Sequence, residues 1–376
     1  MLKFSMLRFV ALLLGLSYAY AQSTQSPQEL LKEAVTAQQS GNLDLAVKDY
    51  RLILENYPDI PEIRSNFGAA LAGQGRYAEA IAEYKRALKL KPNPEVELNL
   101  ALAYYKTADF TSALNTLKKV RPQAPANMQV VTLLADCYLR LGQNKDVIEL
   151  LTPLQQKDPD NPTFIYLLGT ALVRDGQTAK GQLVIDKILR NGDSAEARLL
   201  MGTTKYMAKD FSGARDDLQK ALDLNADLPD VHAYYGMALL STGDPAAAKE
   251  AFARELKINP NNFDANLQMG LLSRQDEQND EALKYLQHAL QIRPGDPGVR
   301  YQIAVLEMAT GQLDAARRDL ESLIKDSPDF LEAHVSLATV YFRQKRKADG
   351  DRERAIVAKL NAAKQAQTEV AAKAAQ

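Results

Sequence analysis

The apolar and small positions of this chain recur with a period of about 34 residues. Small residues stand at Ala34, Gly68, Ala101, Ala135, Gly169, Gly202, Gly236, Gly270, Ala304 and Ala338, in steps of 33 or 34. A second series lies twelve residues further on, at Ala46, Ala80, Ala113, Val147, Gly181, Ala214, Ala248, Ala282, Ala316 and Gly350. Larger apolar residues lie around these at helical spacing, as Leu71, Tyr84 and Ala87 do around Ala80. The two small series predict two helices per unit in close approach, because a bulky side chain at either point would hold the helix axes apart. Pro58, Pro92, Pro125, Pro159, Pro260, Pro294 and Pro328 close seven of the units, and Asp193, Ala226 and Ala362 take that place in the others. Gly41, Gly75, Gly142, Gly176, Gly243 and Gly311 fall between the two helices, where a chain leaving a helix reaches positive φ without penalty. Asn161-Pro162 and Asp296-Pro297 each offer an N-cap followed by proline at the first helical position.

The pattern predicts ten units, starting near residues 27, 61, 94, 128, 162, 195, 229, 263, 297 and 331, each of two antiparallel helices of about 12–14 residues. One such pair cannot bury its apolar face alone, so the pairs must stack. Gly68, Leu71, Gly75, Tyr77, Ala80, Tyr84, Ala87 and Pro92 of the second unit, and Gly236, Leu239, Gly243, Ala248, Phe252 and Pro260 of the seventh, carry a family resemblance. The array resembles a tetratricopeptide repeat protein over roughly residues 27–360. Unit five departs most, at Thr178, Gly181 and Asp193. The resemblance implies an all-α solenoid, a right-handed superhelix of about ten repeats whose first helices line a concave inner face.

Residues 1–21 read as a secretory signal peptide: Lys3 and Arg8, then an apolar stretch from Phe9 to Leu16, then Ala19-Tyr20-Ala21 as a cleavage site before Gln22. Phe9 to Ala21 falls short of the roughly 20 residues that span a bilayer. The single cysteine is Cys137, so a lipoprotein cysteine after the cut is absent. Residues 22–26 form a polar leader, and residues 361–376 an Ala/Gln/Lys-rich tail that either extends the last helix or frays. The expected location is the periplasm or beyond, in a Gram-negative-type bacterium, with no transmembrane segment left after cleavage.

Charge and chemistry narrow the picture mainly by exclusion. Lys and Arg number 46 against 47 Asp and Glu, so strong attraction to nucleic acid is not expected. Between Arg343 and Lys364, however, eight basic residues face three acidic ones, which suits a polar cap on the last repeat or contact with an acidic partner. One cysteine and three histidines make no zinc cluster. Cys137 reads as a small buried hydrophobe, and His232, His288 and His334 as solvated or partly buried. Gly73-Gln74-Gly75-Arg76-Tyr77-Ala78 mimics a dinucleotide loop but lacks the strand such a loop follows. Asp216-Asp217, and Glu353 near Asp349, are spaced as helix surface charge. No catalytic site, metal or cofactor is expected.

By the resemblance, the inner face is the candidate binding surface. It is expected to present Asn66, Asn99, Tyr105, Arg140, Tyr166, Arg174, Tyr206, Tyr234, Arg274, Tyr301, Gln302 and Phe342. Aromatic and Arg residues dominate interface energetics. The carboxylate clamp of chaperone-tail-binding members is not expected, because Ser65, Ala69, Gln129 and Leu133 stand where it needs basic or Asn residues around Asn99. These features favour a non-enzymatic scaffold that binds a protein, as peptide or helix. Glycan binding in polysaccharide or cell-wall export is the alternative, because Tyr, Arg, Asn and Gln also suit sugars.

Overall fold

The computed structural model describes residues 26–189 and 192–374; the expected signal peptide and most of the polar leader lie outside them. Among the described residues there are twenty α-helices and no strand. Cα packing divides the chain into two compact units, Met1–Cys137 and Tyr138–Gln376. The first contains α1 (Pro27–Gln39), α2 (Leu43–Asn56), α3 (Pro61–Gly73), α4 (Tyr77–Leu90), α5 (Pro94–Lys106), α6 (Phe110–Val120) and most of α7 (Met128–Arg140). The second continues with α8 (Asn144–Lys157), α9 (Pro162–Arg174), α10 (Thr178–Leu189), α11 (Ala195–Met207), α12 (Phe211–Leu224) and α13 (Val231–Ser241). It ends with α14 (Pro245–Ile258), α15 (Phe263–Gln275), α16 (Asn279–Ile292), α17 (Pro297–Ala309), α18 (Leu313–Asp326), α19 (Leu331–Arg343) and α20 (Lys347–Ala374).

Within each unit, odd-numbered helices pack against the even-numbered helix that follows, as α1 with α2, α3 with α4 and α5 with α6 in the first and α9 with α10 through α19 with α20 in the second, so the fold is a solenoid of helix pairs. The small residues set how close a pair can come. A Cβ added at Gly202 would lie 2.5 Å from Leu218 Cγ, and one at Gly236 would lie 2.7 Å from the Phe252 ring. The core is shared between neighbouring pairs: Leu199 of α11, Leu218 of α12 and Tyr234 of α13 belong to one buried cluster. Ala233 of α13, Phe252 of α14 and Met269 of α15 belong to the next. The sixth and seventh pairs are therefore each completed by the pair that follows.

Helix ends follow local chemistry. Ser26, the last leader residue, accepts from the Glu29 amide while Glu29 reaches back to the Ser26 amide, a reciprocal cap on α1. Asn161 and Asp296 cap α9 and α17. The six inter-helix glycines adopt φ between +73° and +89°. At the same register of the units without glycine, Ala108, Lys209, Glu277 and Lys345 take φ of 60–65°. Unit five differs as its sequence suggests: α10 has twelve residues and leaves Leu183 70% exposed. The tail continues the last helix, since α20 runs on to Ala374.

Candidate functional site

In the first unit the inner-face candidates are mostly engaged by their own neighbours. Asn66 hydrogen-bonds to the Tyr50 hydroxyl, which donates to Gln38 Oε1 at 2.8 Å; burial pushes that phenol above its usual range. The Tyr105 hydroxyl donates to the Asp136 carboxylate, and its ring stands edge-on to Phe110 at 5.4 Å. Asn99 is half-buried on α5. Open depressions of this unit run along α2 and α4, lined by Arg51, Glu55, Gln74, Arg76 and Glu83.

In the second unit four candidates come together: Arg140 at the end of α7, Tyr166 and Arg174 on α9, and Tyr234 on α13. Arg174 is the hub. Its Nε donates to the Tyr234 hydroxyl at 3.0 Å and its Nη2 to Asp230 Oδ2 at 2.9 Å. Asp230 Oδ1 accepts from Asn262 Nδ2 at 2.7 Å, and the Asp230 amide donates to Glu255 Oε1 at 2.9 Å. Burial works against the Asp230 charge, but Arg174, Arg140 and Arg293 together hold its carboxyl below the usual range. Burial likewise opposes the Arg174 charge and is outweighed by Tyr234, Asp230 and Asp264, which hold the guanidinium more firmly protonated. Glu255 is fully buried, and burial with the nearby Asp230 charge pushes its carboxyl up to about 7. Arg293, at the end of α16, donates from Nε to the Arg140 carbonyl at 2.8 Å and stacks 3.8 Å above the Phe263 ring.

The remaining candidates are dispersed. Tyr206 packs on Phe211 at 5.3 Å, and Tyr301 on Phe330 at 5.4 Å with its hydroxyl 3.2 Å from Ser336 Oγ. Phe342 lies under the Arg354 guanidinium at 4.4 Å. Arg274 is half-buried on α15, and Gln302 on α17 keeps a buried Oε1 without a hydrogen-bond partner. Of the twelve, Tyr234 is the buried one, so it serves the cluster through its hydroxyl rather than as open surface.

Some sequence-level readings need correction. Asp217 is not surface charge: it is buried, with Arg198 Nη1 at 2.9 Å and Lys205 Nζ at 2.5 Å. Glu353 is also drawn in, 2.6 Å from His334 Nδ1. His232 and His334, expected to be solvated or partly buried, are buried. Cys137 is buried, as its sequence context suggests. Sequence reasoning missed Asp230, Arg293, Asn262 and Glu255. The first two lie in connecting segments or at a helix end, off the periodic inner positions, and no periodic signal marks them. Among the described residues no group of His, Cys, Asp and Glu is placed to hold a metal ion.

A chain of stacked helix pairs with a shared core and no clustered metal ligands among its described residues is a helical repeat platform. The tetratricopeptide repeat model matches residues 31–93, 236–297 and 301–370, and a second model of that description matches 273–325. The chain belongs to the tetratricopeptide repeat family. Residues 73–154 match a model for subunit 3 of the anaphase-promoting complex, cyclosome. Anaphase-promoting complex subunit 3 of Schizosaccharomyces pombe is 21% identical over 284 residues, covering 74% of this chain and 42% of that protein. DnaJ protein P58IPK homolog B of Oryza sativa subsp. japonica is 26% identical over 345 residues, covering 82% and 72%. This chain thus spans less than half of the first relative and nearly three quarters of the second. The crystal structure of the APC/C hetero-tetramer Cut9–Hcn1 shares the fold at a TM-score of 0.52 and 14% identity, covering 89% of this chain and 87% of that one. Tetratricopeptide repeats mediate protein–protein interaction and scaffolding.

Proposed function

We propose that this chain is a non-enzymatic scaffold of the bacterial cell envelope that binds a peptide or helix of a partner protein along the first-helix face of its repeats. The observation that carries the reading is the set of half-buried aromatic and Arg side chains on those helices in the second unit: Tyr166, Arg174, Tyr206, Tyr301 and Phe342. Such residues give contact area and fixed polar anchors at small entropic cost. The envelope setting rests on the signal-peptide pattern of residues 1–21.

Two measurements test this. Mass spectrometry of the protein from a bacterial periplasmic fraction should find an N-terminal peptide beginning at Gln22; a chain retained with Met1 in the cytoplasm contradicts the envelope assignment. A photocrosslinking residue at Tyr206 or Tyr301 should give a discrete protein adduct in cells, whereas one at Leu224, on the second helix of its pair, should not. Equal labelling at all three positions, or retention of glycan in place of protein, overturns the scaffold reading.

A further inference from the structure

One register of the repeat pairs opposite charges inside a helix pair. A carboxylate on the second helix meets a cation nineteen residues earlier on the first. Arg64 Nη1 lies 2.6 Å from Glu83 Oε2, Arg198 Nη1 2.9 Å from Asp217 Oδ1, and His334 Nδ1 2.6 Å from Glu353 Oε2. Asp49 of α2 stands at this register, 34 residues before Glu83, and is buried like Glu83 and Asp217, at 4% exposure. The residue nineteen before it, however, is Leu30. Asp49 Oδ2 is accordingly buried without a hydrogen-bond partner. Burial and the nearby Glu33 charge push its carboxyl above the usual range, with Lys48 offsetting them in part. A carboxylate taken out of water is tolerated when a cation meets it, and Leu30 cannot be that cation.

The missing charge is present elsewhere in the same sequence. Residues 26–59 hold six acidic side chains against three basic ones, whereas residues 343–364 hold eight basic against three acidic. The contact faces match by register too. Between the ninth and tenth pairs, Leu320 and Leu323 of α18 share one buried cluster with Ala333 of α19. Arg354 and Val357 of α20 take the places of Leu320 and Leu323, and Glu29 of α1 takes that of Ala333. Arg354 and Glu29 are exposed, and Val357 is half-buried where Leu323 is fully covered. We propose that a second copy of this chain seats its α20 on α1 and α2, as α18 seats on the pair that follows it, and supplies the cation that Asp49 lacks. Arg354 of one copy then meets Glu29 of the other, where interior pairs bury leucine beside alanine. Pro58, whose carbonyl shares the Arg64 guanidinium with Glu83, corresponds to Ala362, and Lys359 and Lys364 flank Ala362. This stretch of α20 brings ammonium groups to the place where Asp49 needs one. The contact runs head to tail, so every copy offers one α1 face and one α20 face, and association continues from copy to copy. It goes beyond the scaffold reading and does not depend on it.

The test is sedimentation velocity of the full chain across a wide range of concentration. Wild type should grow in mean mass with concentration and return to monomer as salt rises, because an ionic contact is screened. Leu30→Arg gives Asp49 a cation from its own chain, as Arg64 does for Glu83, and should weaken association by about tenfold. Arg354→Glu should weaken it by about as much, since it sets two carboxylates face to face. Mixing the two variants is the decisive step. Leu30→Arg keeps an intact α20 face and Arg354→Glu an intact α1 face. At a concentration where each is monomeric alone, the mixture should therefore form a one-to-one dimer and nothing larger. Circular dichroism checks that both variants remain helical; where Leu30→Arg does not fold, Asp49→Asn, which removes the buried charge, takes its place. A wild type that stays monomeric at every concentration, unaltered association in a folded variant, or a mixture without dimer overturns the proposal. A monomeric wild type that binds oligolysine, and loses it in Asp49→Asn, gives the site to a different basic protein and equally overturns the second copy as its occupant.

Discussion

His334 is held from both sides: Nε2 lies 2.9 Å from the Pro328 carbonyl and Nδ1 2.6 Å from Glu353 Oε2. A carbonyl can only accept, so the Nε2 contact fixes a proton there, and the carboxylate contact needs a second proton between its partners. The same register does the same work elsewhere. Arg64, His232 and Asn266 each bond the carbonyl six residues back, at Pro58, Ala226 and Pro260. In these four units the position therefore ties the unit to the residue that closes the unit before it. His334→Ala should cost about 2–4 kcal/mol, by orphaning a buried carbonyl and Glu353. His334→Asn should cost less, because Asn266 shows that an amide makes the carbonyl bond. Urea unfolding followed by circular dichroism compares the two; equal losses contradict the argument. Glu255 yields a second residue-level expectation. A carboxyl that binds its proton more tightly folded than unfolded favours the native chain at low pH, and that contribution fades as pH rises through about 7. Between pH 5 and pH 8 the melting temperature of Glu255→Gln should therefore fall less than that of wild type, by an amount equivalent to about 2–3 kcal/mol. Parallel curves would show that Glu255 does not set this slope. Glu307, which burial and Asp319 also push up to about 7, supplies a residual slope in both proteins.

At the scale of the helix pair, the inter-helix link and the close approach place opposite demands on residue size. Glu277 occupies the link at φ 60°, where six other units use glycine. A side chain in the left-handed region is strained by roughly 1 kcal/mol, partly offset by the greater freedom glycine gives the unfolded chain. Glu277→Gly should raise stability by about 0.5 kcal/mol. Gly202→Ala should lower it by about 1–3 kcal/mol, because the added methyl meets Leu218 and also lies 3.2 Å from the Ala214 carbonyl oxygen. Differential scanning calorimetry on both variants reads the two signs, and a stabilising Gly202→Ala would refute the packing argument. These elements were legible from sequence because packing repeats: Gly202 and Gly236 face Leu218 and Phe252 at the same offset. Arg174 and Tyr234 were named as inner-face candidates from the family resemblance, and the structure brings the two together. Asp230 and Arg293 were not, because their positions depend on how far one pair reaches toward another, a distance no 34-residue period encodes.

At the scale of the array, a solenoid whose pairs touch only their neighbours unfolds as a sum of local and next-neighbour terms. The second unit departs from that rule at two places. Arg174 joins the fifth pair to the seventh, and Arg293, at the end of the eighth, donates to the Arg140 carbonyl of the fourth across 153 residues of sequence. Each contact makes opening at one point cost contacts at a distant one, so the stretch from α8 to α16 should open as one cooperative block rather than pair by pair. Arg293→Ala separates this from a merely local role. It removes the bond to Arg140 and the stacking on Phe263, and it leaves the covered helix faces of α16 intact. If the bridge couples distant pairs, hydrogen exchange should quicken both around α16–α17 and at the α7–α8 link near Gly142, whose backbone Arg293 approaches closely. The roughly tenfold faster exchange expected at the second site, for a loss of about 1.4 kcal/mol of coupling, has no source in the sequence neighbourhood of the substitution. Exchange that changes only near residue 293 would mean that the contact is incidental and that the block opens one pair at a time.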